Sequence, residues 1–283
     1  MFQKTLDEKT IELLKNNSLF TGKLKPDIKR GAVFSAIRGG YIDFYYKGGR
    51  LFTFQKEFNT HKKYASIILS KGDYLSASDL KLNVELIQDF PEGYESIKEN
   101  CSLYSGVEAK GVSELYHKFS YIQKDLNVVV LDIEVSFKSD HKDKSQDRID
   151  ILVFNKKAQM LRFYEAKHFS NNELWSKSGT QPKVIKQIDG YEKQVEKRHS
   201  EILSQYKNYT RIANELFDCD LPEPKEIDDK VALLAFGYDR DQQQGRMKQL
   251  LIDDGSLKDI QYYFVGDISK VVINNMWKAM KCG

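Results

Sequence analysis

Between residues 128 and 167 three β-prone runs follow one another with little chain between them: VVVLDIEVSF, RIDILVF and MLRFYEAK. The gaps are the polar stretch KSDHKDKSQD at 138–147 and the tight turn NKKAQ. Connections this short cannot carry a crossover, so the three strands are expected to be antiparallel neighbours. Residues 183–216 then read as one long helix or two, and 218–229 as an acidic loop with two prolines. KVALLAFGY at 230–238 is apolar on both faces, as a strand buried inside a sheet is. The helical crossover before it allows parallel pairing with an earlier strand. Such a chain is expected to build a mixed α/β sheet flanked by helices.

Upstream, residues 106–123 space Val107, Val112, Leu115, Tyr116 and Phe119 as a helix interrupted by Gly111. The order over 106–238 is therefore α-β-β-β-α-β. A helix at 241–252, a strand at 260–266 and a C-terminal helix with Ser269 as N-cap complete the chain. The N-terminal part is different. Residues 6–16 read as a short amphipathic helix, and AVFSAIR, YIDFYYK and RLFTFQ as a three-strand meander with turns at Gly39-Gly40 and Gly48-Gly49. YASIILS at 64–70 extends it. A change of character near residue 100 separates an α+β accessory region, 1–100, from a larger domain, 101–283.

Composition removes several classes. Of 283 residues, 41% are hydrophobic, enough for a core and too many for a disordered chain. No apolar run approaches the ~20 residues that span a bilayer, and MFQKTLDEKTIELL is not a signal peptide. Cys101, Cys219 and Cys282 form neither a disulfide framework nor a zinc motif, which points to a reducing cytoplasm. The net charge of +3 argues for no partner by itself, but its distribution does. From Lys156 to Arg198 ten bases face five acids, a local +5. The meander interleaves Tyr41, Phe44, Tyr45, Tyr46, Phe52 and Phe54 with Lys47 and Arg50, a pattern that sheet packing explains as well as base stacking. No GxxxxGK[ST] loop and no HExxH pair occurs.

The chemistry sits in Asp150 and in Glu165-Ala166-Lys167. Asp150 interrupts an apolar strand. Glu165 and Lys167, two apart on the next strand, emerge on one face. Pairing through NKKAQ brings Asp150 near Glu165, and two neighbouring carboxylates repel unless a cation lies between them. Oxygen-only ligation suits Mg²⁺ or Mn²⁺. A lysine beside that metal can orient or deprotonate a water, or neutralise charge developing on phosphorus. On the first strand Asp132 and Glu134 share one face and the apolar residues the other, which reads as a solvated acidic face.

RIDILVF followed by FYEAK resembles the PD-(D/E)XK nuclease superfamily, with Ile149-Asp150 in place of Pro-Asp and Glu165-Ala166-Lys167 as the ExK motif. The resemblance covers about 106–238 and implies an α-β-β-β-α-β core. Gln187-Ile188-Asp189-Gly190-Tyr191 is similar to the QxxxY motif of the RecB-like branch. What the resemblance implies is a metal-dependent nuclease acting on DNA before RNA, in restriction, defence against foreign DNA or repair. It implies that Asp150 and Glu165 hold Mg²⁺, with the Ala166 carbonyl as a further ligand. Lys167 would serve the attacking water, Gln187 would help place the lysine or water, and Tyr191 would contact the nucleic-acid backbone. The acid that family members add from the first core helix falls on Glu114, with Glu108 before it and Glu134 as rival. Lys183 and Lys186 are expected to track phosphates, and His117, three residues from Glu114, to lie near the site. Partners implied are nucleic acid and either a second copy or a separate motor or defence subunit. The alternative is a non-catalytic nucleic-acid-binding or assembly module that keeps the fold.

Overall fold

The computed structural model describes residues 2–66, 86–137, 148–175, 180–252, 257–278 and 280–281. Most of YASIILS, the polar stretch 138–147 and His141 lie outside them. The chain opens with helix α1 (Glu8–Lys15), whose first turn is capped by Asp7 accepting from Thr10 N at 2.6 Å. Helix α2 (Lys25–Lys29) leads into four strands, β1 (Phe34–Ile37), β2 (Ile42–Tyr46), β3 (Gly49–Phe54) and β4 (Phe58–Asn59), in an antiparallel sheet of that order. The aromatics of this meander serve packing: Phe44, Phe52 and Phe54 are buried. The β2–β3 turn is made by Lys47 and Gly48, both at positive φ, while Gly49 already belongs to β3. Such a turn suits the twist of a two-residue hairpin.

Helices α3 (Tyr94–Leu103) and α4 (Val107–Lys118) precede the larger sheet. Its strands are β5 (Val128–Ser136), β6 (Arg148–Asn155), β7 (Met160–His168), β8 (Glu226–Phe236), β9 (Gln261–Val265) and β10 (Met280–Lys281). They lie in the order β10-β9-β8-β7-β6-β5. β5, β6 and β7 are antiparallel, β7, β8 and β9 parallel, and β10 antiparallel to β9. The molecule is thus α/β with a mixed sheet. Between β7 and β8 run α5 (Lys183–Lys197) and α6 (His199–Phe217), separated at Arg198. Gly190 does not break α5, and a Cβ there would meet nothing within 4 Å. Gly111 does not interrupt α4 either. It lets the helix approach the Phe236 ring, into which a Cβ would collide. α7 (Arg240–Gln242) continues into a wider helix over Gln243–Ile252.

Ser269 is not a helix N-cap. It lies inside a short turn, Ile268–Lys270, that Asp267 caps, and α8 (Ile273–Trp277) starts four residues later. Tyr164 of β7 donates its hydroxyl to Met276 O at 2.8 Å, which seats α8 on the sheet. The buried apolar residues of both sheets form one contiguous core. No helix among the described residues is long and apolar enough to cross a membrane.

Candidate active site

Strand register sets three carboxylates in a row. Ile133 pairs with Ile151 and Val135 with Ile149, so Glu134 falls opposite Asp150. Ile151 pairs with Tyr164, so Asp150 falls opposite Glu165. The structure therefore brings Asp150, Glu165 and Lys167 together. Lys167 Nζ stands 2.7 Å from Glu165 Oε1, and Asp150 Oδ2 accepts from Ala166 N at 2.8 Å. Each of the Asp150 and Glu165 carboxyls bears on the other's ionisation.

Desolvation is costly for such a pair. It pushes Asp150 up to about 6, with Glu108 adding to the effect. It also pushes Glu165 well above the carboxylate range, with the Asp150 charge adding there. Glu165 Oε2 is buried and receives no donor among the described residues. A buried acid with an orphaned oxygen and a neighbouring acid is the environment a divalent cation would complete, since it supplies both the missing charge and the missing partner. Among the described residues no cluster of three or more ligating side chains is already gathered. Asp150 and Glu165 nevertheless fit Mg²⁺ or Mn²⁺ by charge and donor type.

The helix-borne acid is corrected. Glu114 is exposed on α4, on the side away from the buried stripe of Gly111, Val112 and Leu115. Glu108, one turn before Gly111 and Val112, faces the strands instead. Its Oε2 accepts from His168 N at 3.0 Å and from Asn171 Nδ2 at 2.9 Å. Glu108, Glu134 and Asp150 line one small cleft with Tyr45 and Arg148.

The expected solvated face of β5 is also corrected. The ladder shifts register between Val130 and Asp132, and Glu134 takes a left-handed φ of 49°. Beyond the shift Asp132 pairs with Leu152 and Glu134 falls opposite Asp150, so the two acids still share a face, but at Asp132 other segments cover it. Asp132 is buried there and meets Lys4, Arg38 at 2.7 Å and the Tyr206 hydroxyl at 2.8 Å. Glu134 stays at the cleft and accepts from the Tyr45 hydroxyl at 2.9 Å.

Lys167 is nearly buried and has a second acid that the sequence did not single out. Glu173, on the turn Asn172–Leu174, approaches Lys167 Nζ to 3.1 Å. Gln187 acts on this acid rather than on the lysine. Its Nε2 donates to Glu173 Oε2 at 3.3 Å, and its own buried carbonyl oxygen has no hydrogen-bond partner among the described residues. Tyr191 departs from expectation too. Its ring is buried in the core and its hydroxyl donates to Arg148 O at 3.0 Å. It pins the start of β6, two residues before Asp150.

Lys183 and Lys186 are exposed on α5, with Lys183 Nζ 3.7 Å from Glu173. His117 is structural. Its ring takes Lys47 N at Nε2 (3.3 Å) and meets Gly31 O at 2.8 Å, and burial lowers its pKa to about 4. Neutral Nδ1–H then donates to that carbonyl. His168 stacks edge-on against Phe236, away from Lys167.

Glu108 could not be told from Glu114 in the sequence, because both lie three residues from Gly111. Glu173 carries no local signal, since its turn has no periodic pattern. No family model, curated protein or solved structure matches this chain.

Proposed function

We propose that the protein is a metal-dependent nuclease of the PD-(D/E)XK type, hydrolysing phosphodiester bonds in nucleic acid, with DNA as the first candidate. One observation carries the reading: Asp150 and Glu165 stand side by side on adjacent strands, Glu165 with an orphaned buried oxygen, and Lys167 is held on the same face. The mixed sheet preceded by α4, in the order α-β-β-β-α-β, supports it.

Asp150 and Glu165 would hold Mg²⁺, and Glu108 and Glu134 stand across the same cleft. A bound Mg²⁺ supplies Lewis-acid polarisation of the phosphate. Lys167 keeps its proton: burial works against the charge, but Glu165 more than restores it and holds the ammonium above its ordinary pKa. It therefore donates to the attacking water or to a phosphate oxygen rather than acting as a base. Glu173, steadied by Gln187, fixes where the ammonium points.

The test is incubation with plasmid, linear duplex, single-stranded DNA and RNA, each in Mg²⁺, Mn²⁺ or EDTA. Cleavage is expected with metal and not with EDTA. Asp150→Asn and Glu165→Gln are each expected to slow it by about a hundred-fold or more. A parent protein that binds nucleic acid and cuts none of these substrates would instead be a non-catalytic binding module.

A further inference from the structure

Beside the acid row lies a second cavity, of about 460 Å³. Its walls come from the N-terminal segment, the meander and the β5–β6 edge. Four cations line it, Lys4, Arg38, Arg50 and Arg148, against two acids, Asp43 and Glu134. Asp132, behind the wall, contacts both Lys4 and Arg38 and offsets one more charge. The chamber stays net positive.

The cations divide into a floor and a rim. Lys4 and Arg38 are buried, and Arg38 is immobilised by Asp132 at 2.7 Å and Ile133 O at 2.8 Å. Arg50 and Arg148 are more than half exposed, at 59% and 55%. Their ion pairs are long, 4.0 Å to Asp43 and 3.5 Å to Glu134. Both rim guanidiniums thus keep donors for a ligand, and a planar fork of N–H groups matches phosphate oxygens. Tyr41 adds a half-buried ring to the wall. The chamber shares Tyr45, Glu134 and Arg148 with the cleft that reaches Asp150 and Glu108.

We infer that this chamber binds one nucleotide, its phosphate on Arg50 and Arg148 above the Lys4–Arg38 floor and its base against Tyr41. The volume suits a ligand of that size. The assignment deepens the nuclease reading and rests on it for one point only, that the nucleotide would lie next to the bond being cut.

Calorimetric titration of the full chain in EDTA tests it without any cleavage. The ligands are thymidine 5′-monophosphate, thymidine and inorganic phosphate. Saturable binding of the monophosphate is expected, with thymidine weaker by about ten-fold or more. Arg50→Ala/Arg148→Ala is expected to weaken the monophosphate by a similar factor. Both side chains are exposed, so circular dichroism and Tm should stay parental. Asp150→Asn should bind the monophosphate like the parent. Displacement of the monophosphate by a single-stranded oligonucleotide would place a nucleotide of the strand in the chamber. Failure to displace it would place a free nucleotide there. The inference is overturned if the monophosphate does not saturate, if thymidine binds as tightly, or if the folded double variant binds like the parent. A parent that binds the monophosphate but cuts nothing keeps the chamber and removes the nuclease reading. One that cuts but does not bind does the reverse.

Discussion

Burial works to strip Lys167 of its proton, and two acids at 2.7 and 3.1 Å oppose it. Glu165 belongs to the carboxylate pair, but among the described residues the ion pairs of Glu173 are with Lys167 and Lys183 alone. Glu173→Gln keeps its shape and removes its charge. It is expected to slow cleavage by about ten-fold and to leave cation affinity unchanged. The alkaline limb of the pH–rate profile should also move down, because Lys167 loses an acidic neighbour. An unchanged profile at parental rate would reduce Glu173 to a fold residue. The carboxylate pair makes a separate prediction. Asp150 and Glu165 are both shifted upward in the folded state. Without metal, their contribution to stability is complete below the unfolded carboxyl range of about 4 and fades as pH rises through about 6. A cation that neutralises the ionised pair should therefore raise Tm more at pH 8 than at pH 5. Thermal melts with and without Mn²⁺ read this directly, and Asp150→Asn should abolish the difference. Equal shifts at both pH values in the parent would place the cation elsewhere.

Helix α4 is the element on which the site depends most. Two glycines set its place from opposite sides. Gly48, at the tip of the β2–β3 hairpin, lies so near the Ala109 backbone that a Cβ would come within 2.6 Å of it. Gly111 lies against the Phe236 ring at the end of β8. Glu108, adjacent to the first contact at Ala109 and one turn before the second at Gly111, is thereby held over His168 N. Gly111→Ala must push the helix or the ring away. It is expected to destabilise by about 1–3 kcal/mol in urea and to slow cleavage through Glu108. Gly190→Ala in α5 is the control. With no atom near the added methyl, it should be neutral or stabilise by up to about 1 kcal/mol. A Gly111→Ala protein as stable as the parent would mean that α4 is not clamped there.

Across the whole molecule, Asp132 joins pieces far apart in the chain. It takes Lys4 from the N-terminal segment, Arg38 from the meander edge and Tyr206 from α6. Burial works against its charge, but Arg38 and Lys4 outweigh it and hold the carboxyl below its usual range. Among the described residues, Asp132→Asn leaves buried Lys4 without its counter-charge and Arg38 with Asp43 at 3.4 Å alone, and is expected to lose about 3–5 kcal/mol. The parent's share of this stability is present above the unfolded carboxyl pKa and is lost as pH falls, so the gap between parent and variant should narrow in acid. Urea titrations at pH 7 and pH 3 measure it, and a gap that widens in acid would contradict this account. The core is continuous, so one calorimetric transition is also expected. Two would show that the meander unfolds by itself.

The antiparallel run of β5, β6 and β7 and the approach of Asp150 to Glu165 were legible without a structure. Short connections force antiparallel neighbours, an apolar run after a helical crossover goes inside, and a period of two puts Glu165 and Lys167 on one face. These are local rules, and local rules need only the residues in order. Glu108, Glu173 and Asp132 were decided by the tertiary fold. Glu114 and Glu108 look alike within the helix, and only the close approach at Gly111 to Phe236 selects the one that faces the strands. Asp132 and Glu134 share a face as their spacing requires, but Lys4, Arg38 and Tyr206, all distant in the chain, cover that face at Asp132 and bury it. Tyr191 has the spacing of a motif, yet its hydroxyl is held by a strand 43 residues earlier in the chain. Charge and hydrogen-bond partners come from whatever is nearest in space, and nearness between distant segments is settled only when the chain has folded.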